Sequence, residues 1–98
     1  MSYTLKLTVK ARNTYAQNLD YLHKEWGSKV TLDFIDRVDT VLQTIIQNPF
    51  LYPIYLPSKS IYKCVVHNRI ILYYRVIGDV IEILRFWNTY QNPKKLKF

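Results

Sequence analysis

The sequence predicts an α+β fold: an N-terminal strand, an antiparallel helical hairpin, and then a three-stranded antiparallel β-meander forming one small sheet. Two observations carry this prediction. The apolar residues alternate up to Leu7, recur at helical spacing as far as Ile46, and later form β-branched and aromatic runs. Gly78-Asp79 separates two of these runs, which is typical of a tight hairpin. We therefore expect one domain, residues 1–98, with a basic C-terminal tail at 88–98 that leaves the end of the last strand.

The first strand and the first helix follow from the change of period. Apolar and polar residues alternate over residues 3–8, and Thr8 is a preferred N-cap for the helix that follows. Asp20 and Lys24 lie four residues apart on the outer face of this helix. Its predicted apolar stripe consists of Ala11, Tyr15, Leu19, Leu22 and Trp26.

The second helix begins directly after the first. We expect Gly27 to end the first helix at the C′ position and Ser28 to be the N-cap of the second. Asn48-Pro49 ends the second helix, because the residue before proline is driven out of the α region. Asp33 and Arg37 are spaced as another ion pair. Since the link is this short, the two helices must be antiparallel neighbours, and the apolar stripe of the second is Val30, Phe34, Val38, Val41, Leu42, Ile45 and Ile46.

The meander follows an apolar connection at 50–60, which we expect to lie against the body of the protein. Its turns are His67-Asn68 and Gly78-Asp79, and its strands are 61–66, 69–77 and 80–87. The edge that the first strand takes in this sheet stays open. Both faces of the meander are largely apolar, so the pattern leaves open which face the helices cover.

Two cross-strand relations follow if both turns contain two residues. Lys63, Leu72 and Arg85 then fall in one row, with the two cations about two strands apart. Arg75 lies opposite Glu82 as a surface pair of small energetic value. The two cations of the row are either solvated side chains or part of a basic site.

Charge and cysteine content limit the partners and the compartment. The net charge is +7, from 14 Lys and Arg against 7 Asp and Glu, and five of the acids lie between residues 18 and 39. The sheet half and the tail are therefore basic, which predicts attraction to an anionic partner. Cys64 is the single cysteine and lies in an apolar strand pattern, so we expect a core residue in a reduced, cytoplasmic compartment. We expect no signal peptide at Met1 and no membrane span.

Most catalytic motifs are missing from the sequence. No nucleophile elbow, metal-ligand spacing or Gly-rich phosphate loop occurs, so we expect no cofactor and no metal. We interpret His67 as a turn residue, and a role in proton transfer is the alternative. The chemistry that remains is a set of cations and tyrosines that suits phosphate contacts or metal-independent RNA cleavage by 2′-OH attack: Lys63, Arg69, Tyr73, Arg75, Arg85, Tyr90, Lys94, Lys95 and Lys97.

The chain resembles the RelE/ParE superfamily of type II toxin–antitoxin toxins over nearly its whole length. The resemblance is most specific in the run 71–76, the Gly78-Asp79 turn, the run 81–84 and the terminal segment 88–93. Members often carry a tyrosine-arginine-valine run in the strand before this turn, here at 74–76. The first helix, with Trp26-Gly27 at its end, is also similar to the family's first helix.

The resemblance implies a growth-inhibiting toxin that is neutralised by an antitoxin encoded beside it. One branch of the superfamily cleaves mRNA on the ribosome and another inhibits DNA gyrase. The nuclease branch relies on cations of the sheet and on a basic residue just after the last strand, preceded by an acid or histidine; here these two positions are Tyr90 and Asn88. The catalytic candidates that this comparison leaves are Lys63, Arg69, Arg85 and Tyr90.

We therefore predict a ParE-like toxin that acts by binding a cellular target, possible targets being DNA gyrase or the ribosome with its mRNA. Its expected partner is an acidic antitoxin in a toxin–antitoxin hetero-oligomer. The alternatives are a ribosome-dependent mRNA endonuclease and a plain nucleic-acid-binding module. The residues expected to bind the target or the antitoxin are Arg75, Tyr73, Trp87, Gln91, Lys94 and Lys95.

Overall fold

The computed structural model describes residues 3–98. Met1 and Ser2 of the predicted domain lie outside the described part, and so does the expectation of no signal peptide that was based on them. Two helices cover one face of a five-stranded mixed sheet. Neither helix in the described chain is long and apolar enough to cross a membrane. The elements are β1 Thr4–Leu7, α1 Val9–Trp26, α2 Ser28–Gln47, β2 Ile54–Leu56, β3 Ile61–His67, β4 Ile70–Ile77 and β5 Val80–Asn88.

The predicted α+β class and the antiparallel β3–β4–β5 meander are confirmed, but the predicted small antiparallel sheet is wrong: the sheet has five strands and is mixed, and the first strand takes the edge beside β5. The strand order is β1-β5-β4-β3-β2. β1 pairs in parallel with β5, from Thr4 opposite Val80 to Leu7 opposite Ile83. At the other edge, β2 pairs with β3. β2 lies in the segment that was predicted to be a connection. The sequence does not reveal it, because three residues between two prolines are too few to show the alternation of a strand. A strand at the edge of a sheet nevertheless tolerates proline at its ends.

The two helices meet at a single residue. Thr8 is the N-cap of α1 as predicted, and its hydroxyl accepts a hydrogen bond from the Ala11 amide at 3.1 Å. Gly27 ends α1 and also caps α2, with φ at +88°. Ser28 is already the first residue of α2, so its predicted role as N-cap is wrong. The positive φ of Gly27 turns the chain in one residue and leaves no separate capping position.

The main core lies between the helices and the sheet. The predicted stripe of α2 is confirmed at Phe34, Val38, Val41 and Ile45, which are buried against sheet residues. The stripe of α1 is confirmed at Ala11 and Leu22 but wrong at Trp26, which is 64% exposed. Trp26 keeps the helical spacing but lies at the last residue of α1. Cys64 is buried in this core, as predicted, and burial raises the pKa of its thiol. The buried sheet residues of this core are Cys64, Val66, Ile70, Leu72, Tyr74, Val76, Ile81, Ile83 and Phe86.

Polar side chains of α1 and of its N-cap Thr8 complete the edge of β5 where β1 ends. The Thr8 hydroxyl donates to the Ile83 carbonyl at 2.8 Å. The Thr14 hydroxyl accepts from the Phe86 amide at 2.9 Å, and the Asn18 amide group donates to the Phe86 carbonyl at 3.1 Å. Thr14 and Asn18 are buried, so without them these backbone groups would lack partners. The helix thus replaces a neighbouring strand over this part of β5.

The hairpin registers differ from the simple two-turn prediction. The first turn is Asn68-Arg69 instead of His67-Asn68, and β3 contains a register shift between Val65 and His67. The Gly78-Asp79 turn is confirmed, and the predicted β4–β5 pairing holds until β5 shifts register beside Tyr73 and Tyr74.

Candidate functional site

The row of cations predicted on the sheet exists, but its middle residue is different. Lys63 lies opposite Tyr73, and Tyr73 lies opposite Arg85. The predicted row with Leu72 in the middle is wrong, because both registers are displaced by one residue at this level. We call Lys63, Tyr73 and Arg85 the cationic row. It lies on the sheet face opposite the helices, the open face, together with the separate cluster of Ile61, Tyr73 and Trp87.

The C-terminal tail covers part of the open face. The Phe98 ring lies 5.0 Å from the Tyr73 ring and 5.9 Å from the Tyr55 ring, measured between centroids. Leu96 also packs on this cluster, and Lys59 donates a hydrogen bond to the Phe98 carbonyl. The expectation that the tail simply leaves the last strand is therefore wrong. Its two apolar residues bind an apolar sheet face that would otherwise be exposed to water.

Tyr73 is a protonated phenol in this setting. It is 3% exposed, and this burial raises its pKa, with the neighbouring Tyr55 adding to the rise. The phenol therefore keeps its proton at neutral pH and can donate a hydrogen bond, but it cannot act as a general base.

Arg85 is a partly desolvated cation. Its guanidinium lies over the Trp87 ring at 4.9 Å, and its Nε is buried without a hydrogen-bond partner in residues 3–98. Burial lowers the pKa of Arg85, and the nearby Tyr73 partly offsets this effect. Arginine nevertheless stays charged at neutral pH. Lys63, at the other end of the row, is exposed, with its Nζ 5.7 Å from the Tyr55 ring centroid. The cationic row thus offers two cations and a phenol donor.

Arg75 is already paired within the protein. Its Nε and one terminal nitrogen donate to Glu82 Oε1 at 3.1 and 2.7 Å, which confirms the predicted pair. Two ion pairs form among residues 3–98, this one and the predicted Asp20–Lys24 pair at 3.0 Å. The predicted pair between Asp33 and Arg37 does not form among these residues.

A second group of candidates meets where β5 ends. The Arg69 guanidinium lies 4.3 Å from the centroid of the Tyr90 ring, and the Thr89 amide donates to the Arg69 carbonyl at 2.7 Å. Asn88 is buried, and its Oδ1 accepts a hydrogen bond from the Tyr90 amide at 3.0 Å. We call Arg69, Asn88 and Tyr90 the β5 exit. Its only cation is stacked on the tyrosine, and its amide is used to form the turn.

The remaining candidates are distributed differently. Gln91 and Lys95 line a groove together with Arg85 and Trp87, while Lys94 is exposed in the turn Pro93–Lys95. His67 is the last residue of β3, not a turn residue, and its ring lies 6.1 Å from the Phe34 ring on the helix side of the sheet. It is therefore separated from the cationic row by the sheet.

Several residues of these surfaces escape sequence reasoning. Tyr55 and Phe98 close over Tyr73, although one lies in a proline-rich connection and the other at the chain end. Lys10 lines the groove beside Arg85, and Thr14 and Asn18 hold β5. The only sequence signal is that Thr14 and Asn18 are polar residues four apart beside the apolar stripe of α1.

Comparison with known proteins decides the family. The family model described as the ParE toxin of type II toxin-antitoxin systems, parDE, matches residues 5–93. The chain belongs to the ParE toxin family. The resemblance to the RelE/ParE superfamily is thereby confirmed, and the protein is the toxin of a type II toxin–antitoxin system. No curated relative matches the ParE-family chain in sequence.

Solved structures share the fold of this ParE-family toxin. A structure of the chromosomal ParDE TA system from P. aeruginosa is 20% identical with a TM-score of 0.71, covering 88% of this chain and 95% of that one. A YoeB/ParE toxin from Agrobacterium tumefaciens is 10% identical with a TM-score of 0.61, covering 87% and 96%. A YoeB dimer from Staphylococcus aureus is 17% identical with a TM-score of 0.56, covering 85% and 92%. A heterotetrameric YoeB-YefM toxin-antitoxin complex from Staphylococcus aureus is 15% identical with a TM-score of 0.55, covering 85% and 92%.

Proposed function

We propose that this toxin arrests growth by binding a protein target, DNA gyrase, and that an acidic antitoxin neutralises it in the cytoplasm. The observation that carries the proposal is the chemistry of the β5 exit. Asn88 is neutral, buried and hydrogen-bonded to the Tyr90 amide. Tyr90 replaces the basic group expected there in an mRNA-cleaving relative, and Arg69 lies against its ring.

The open face adds to this argument. RNA cleavage by 2′-OH attack needs a group that accepts a proton and others that stabilise the phosphorane charge. Lys63 and Arg85 meet the second requirement. Tyr73 does not meet the first, because burial raises the pKa of its phenol. The face is therefore better suited to binding than to acid–base catalysis.

Antitoxin binding is supported by charge and by the relatives. The net charge of +7 favours an acidic partner, which would associate quickly through long-range attraction. The YoeB toxin of Staphylococcus aureus is found in a heterotetrameric complex with YefM. We accordingly expect a toxin–antitoxin hetero-oligomer here.

Ribosome-dependent mRNA cleavage is the second candidate. The cationic row favours it, because two cations flanking a phenol could contact a phosphate. Structures of YoeB toxins also share this fold.

The deciding experiment compares the two targets with the same toxin. The chain is expressed from an inducible promoter, and growth, plasmid supercoiling and the 5′ ends of cellular mRNA are followed together. We expect growth arrest and loss of negative supercoiling, and the purified toxin should inhibit gyrase in a supercoiling assay. Codon-phased mRNA cuts without any effect on supercoiling would replace the gyrase proposal by the endonuclease.

A substitution at the β5 exit sharpens the comparison. Tyr90→Arg restores a basic residue after β5, and Thr89→Arg adds the same charge at the neighbouring exposed position. If the site lacks a proton acceptor as argued, neither variant cleaves mRNA. Cleavage by Tyr90→Arg alone would identify the β5 exit as a nuclease site that lacks only its basic group.

A further inference from the structure

A polar groove of about 290 Å³ lies between the first turns of α1 and the end of β5. Three elements each contribute one cation to its wall: Lys10 from α1, Arg85 from β5 and Lys95 from the turn Pro93–Lys95. No acidic side chain lines it among the described residues. We call it the α1–β5 groove.

The other lining groups are hydrogen-bonding side chains. Asn13 and Gln17 contribute from α1 and Gln91 from the segment after β5. Their amides donate to carboxylates and to peptide carbonyls. Arg85 contributes a guanidinium whose buried Nε–H has no acceptor among the described residues. The guanidinium carries further N–H donors on its terminal nitrogens, and a planar guanidinium can bind a carboxylate through two parallel N–H···O bonds.

We propose that the α1–β5 groove binds a carboxylate of an acidic peptide segment, and that this segment belongs to the antitoxin. The inference rests on the proposed antitoxin partnership and adds the place where it binds. It is independent of whether gyrase is the target.

The walls of the groove favour a peptide over a nucleic acid strand. Single-stranded nucleic acid binding combines a continuous track of cations with exposed rings on which bases stack. The aromatic residue of the groove, Trp87, is 4% exposed, and the Arg85 guanidinium lies against it. Tyr73 next to it in the sheet is 3% exposed. No ring in the groove is therefore free to stack on a base.

The test uses the full-length toxin and three labelled probes. One probe is a short blocked polyglutamate peptide, the second a polyglutamine peptide of the same length, and the third a single-stranded RNA of the same charge as the first. Dissociation constants are measured at low and at physiological salt. We expect the polyglutamate peptide to bind, the polyglutamine peptide not to bind, and the RNA to bind only at low salt and without dependence on the groove.

Two double variants with the same net charge separate the groove from general attraction. Lys10→Gln/Lys95→Gln removes two exposed cations of the groove, and Lys29→Gln/Lys97→Gln removes two exposed lysines elsewhere. The groove variant should weaken peptide binding about tenfold, as expected for the loss of two partly solvated charge contacts. The control should change it by no more than about twofold.

Arg85→Lys provides a second, more specific readout. It keeps the positive charge but replaces the planar guanidinium by a single ammonium, so peptide affinity should fall about tenfold if the guanidinium binds the carboxylate through two parallel hydrogen bonds. Unchanged affinity would show that Arg85 does not bind the carboxylate. Circular dichroism shows whether each variant keeps the fold.

Three results would overturn the inference: equal losses in the two double variants, no binding of the polyglutamate peptide, or RNA binding that depends on the groove lysines. The growth and supercoiling assays on the unmodified toxin are read separately. If the toxin inhibits gyrase but the peptide does not bind in the groove, only the inference about the groove is refuted. If the peptide binds in the groove but the toxin has no effect on gyrase, only the proposed target is refuted.

Discussion

Thr14→Val is the sharpest test of how this fold holds β5 in place. Thr14 is 6% exposed, and its hydroxyl accepts the hydrogen bond of the Phe86 amide at 2.9 Å. Valine has nearly the same shape, so the substitution leaves no cavity. It leaves the buried Phe86 N–H without an acceptor, because β1 has already ended at this level.

The magnitude follows from that single group. An unsatisfied buried donor costs about 1–3 kcal/mol. For a domain of this length each kcal/mol lowers Tm by about 5 °C, so we expect a decrease of about 5–15 °C. The carbonyls that the Thr14 hydroxyl contacts on α1, those of Lys10 and Ala11, belong to the helix, so their loss should add little.

The assay is thermal and urea unfolding together with hydrogen exchange of the Phe86 amide. Thr40→Val is the matched control, because Thr40 is an exposed helical residue whose hydroxyl bonds only to the Asp36 carbonyl of its own helix. We expect the control to change stability by less than about 0.5 kcal/mol. Equal losses in the two variants, or unchanged protection of the Phe86 amide in Thr14→Val, would refute the account of the β5 edge.

Three further predictions concern the rest of the structure. Alkaline pH should destabilise the protein, because burial raises the pKa of Cys64 above its ordinary 9.0 and that of Tyr74 above its ordinary 10.0. The two protonated side chains contribute their full stabilisation below pH 9.0, and this contribution is lost as pH rises toward their pKa values in the folded protein. Tm measured from neutral pH upward should fall beyond pH 9.0, less steeply in Tyr74→Phe, and a flat profile would contradict the shifts. Phe98→Ala should cost about 1–2 kcal/mol in urea unfolding, less than the ~3–5 kcal/mol of the fully buried Phe34→Ala; no cost would mean that the tail does not bind the open face. Glu82→Gln should cost less than about 1 kcal/mol, and less still at high salt, because Arg75 remains 37% exposed to water; a larger loss would show that the pair is not a surface pair.

The parts of the fold that could be predicted are those with local signals. Gly78-Asp79 defines its hairpin through glycine's tolerance of positive φ, and Thr8 defines the start of α1 through its hydroxyl. The stripe of α2 follows from helical spacing. β2 and the sheet order could not be predicted in this way, because strand neighbours depend on contacts between segments distant in sequence.

The candidate site could be predicted only in part, for the same reason. Lys63 and Arg85 do lie in one row, but with Tyr73 between them. The β3–β4 register differs by one residue from the register that a two-residue turn at His67-Asn68 would give. The partner of Lys63 is therefore Tyr73 instead of Leu72. A shift in β5 moves the partner of Arg85 in the same way. The two displacements have the same size on β4, so Lys63 and Arg85 still share one row, although the predicted pairing of each with Leu72 is wrong.

The register shift in β5 connects the core to the candidate site. Tyr74 pairs with Ile83 and Tyr73 with Arg85, so Leu84 is the extra residue. With regular alternation after the buried Ile83, Arg85 would point at the helices and Phe86 at the open face. Burying an unpaired guanidinium in that apolar core would be far more costly than disturbing the ladder by one residue. The extra residue instead places Phe86 against Tyr15 in the core, at 5.2 Å between centroids, and turns Arg85 toward the α1–β5 groove. The tail covers the middle of the open face, so Arg85, at the edge beside α1, is the cation of the row that a partner reaches through the groove.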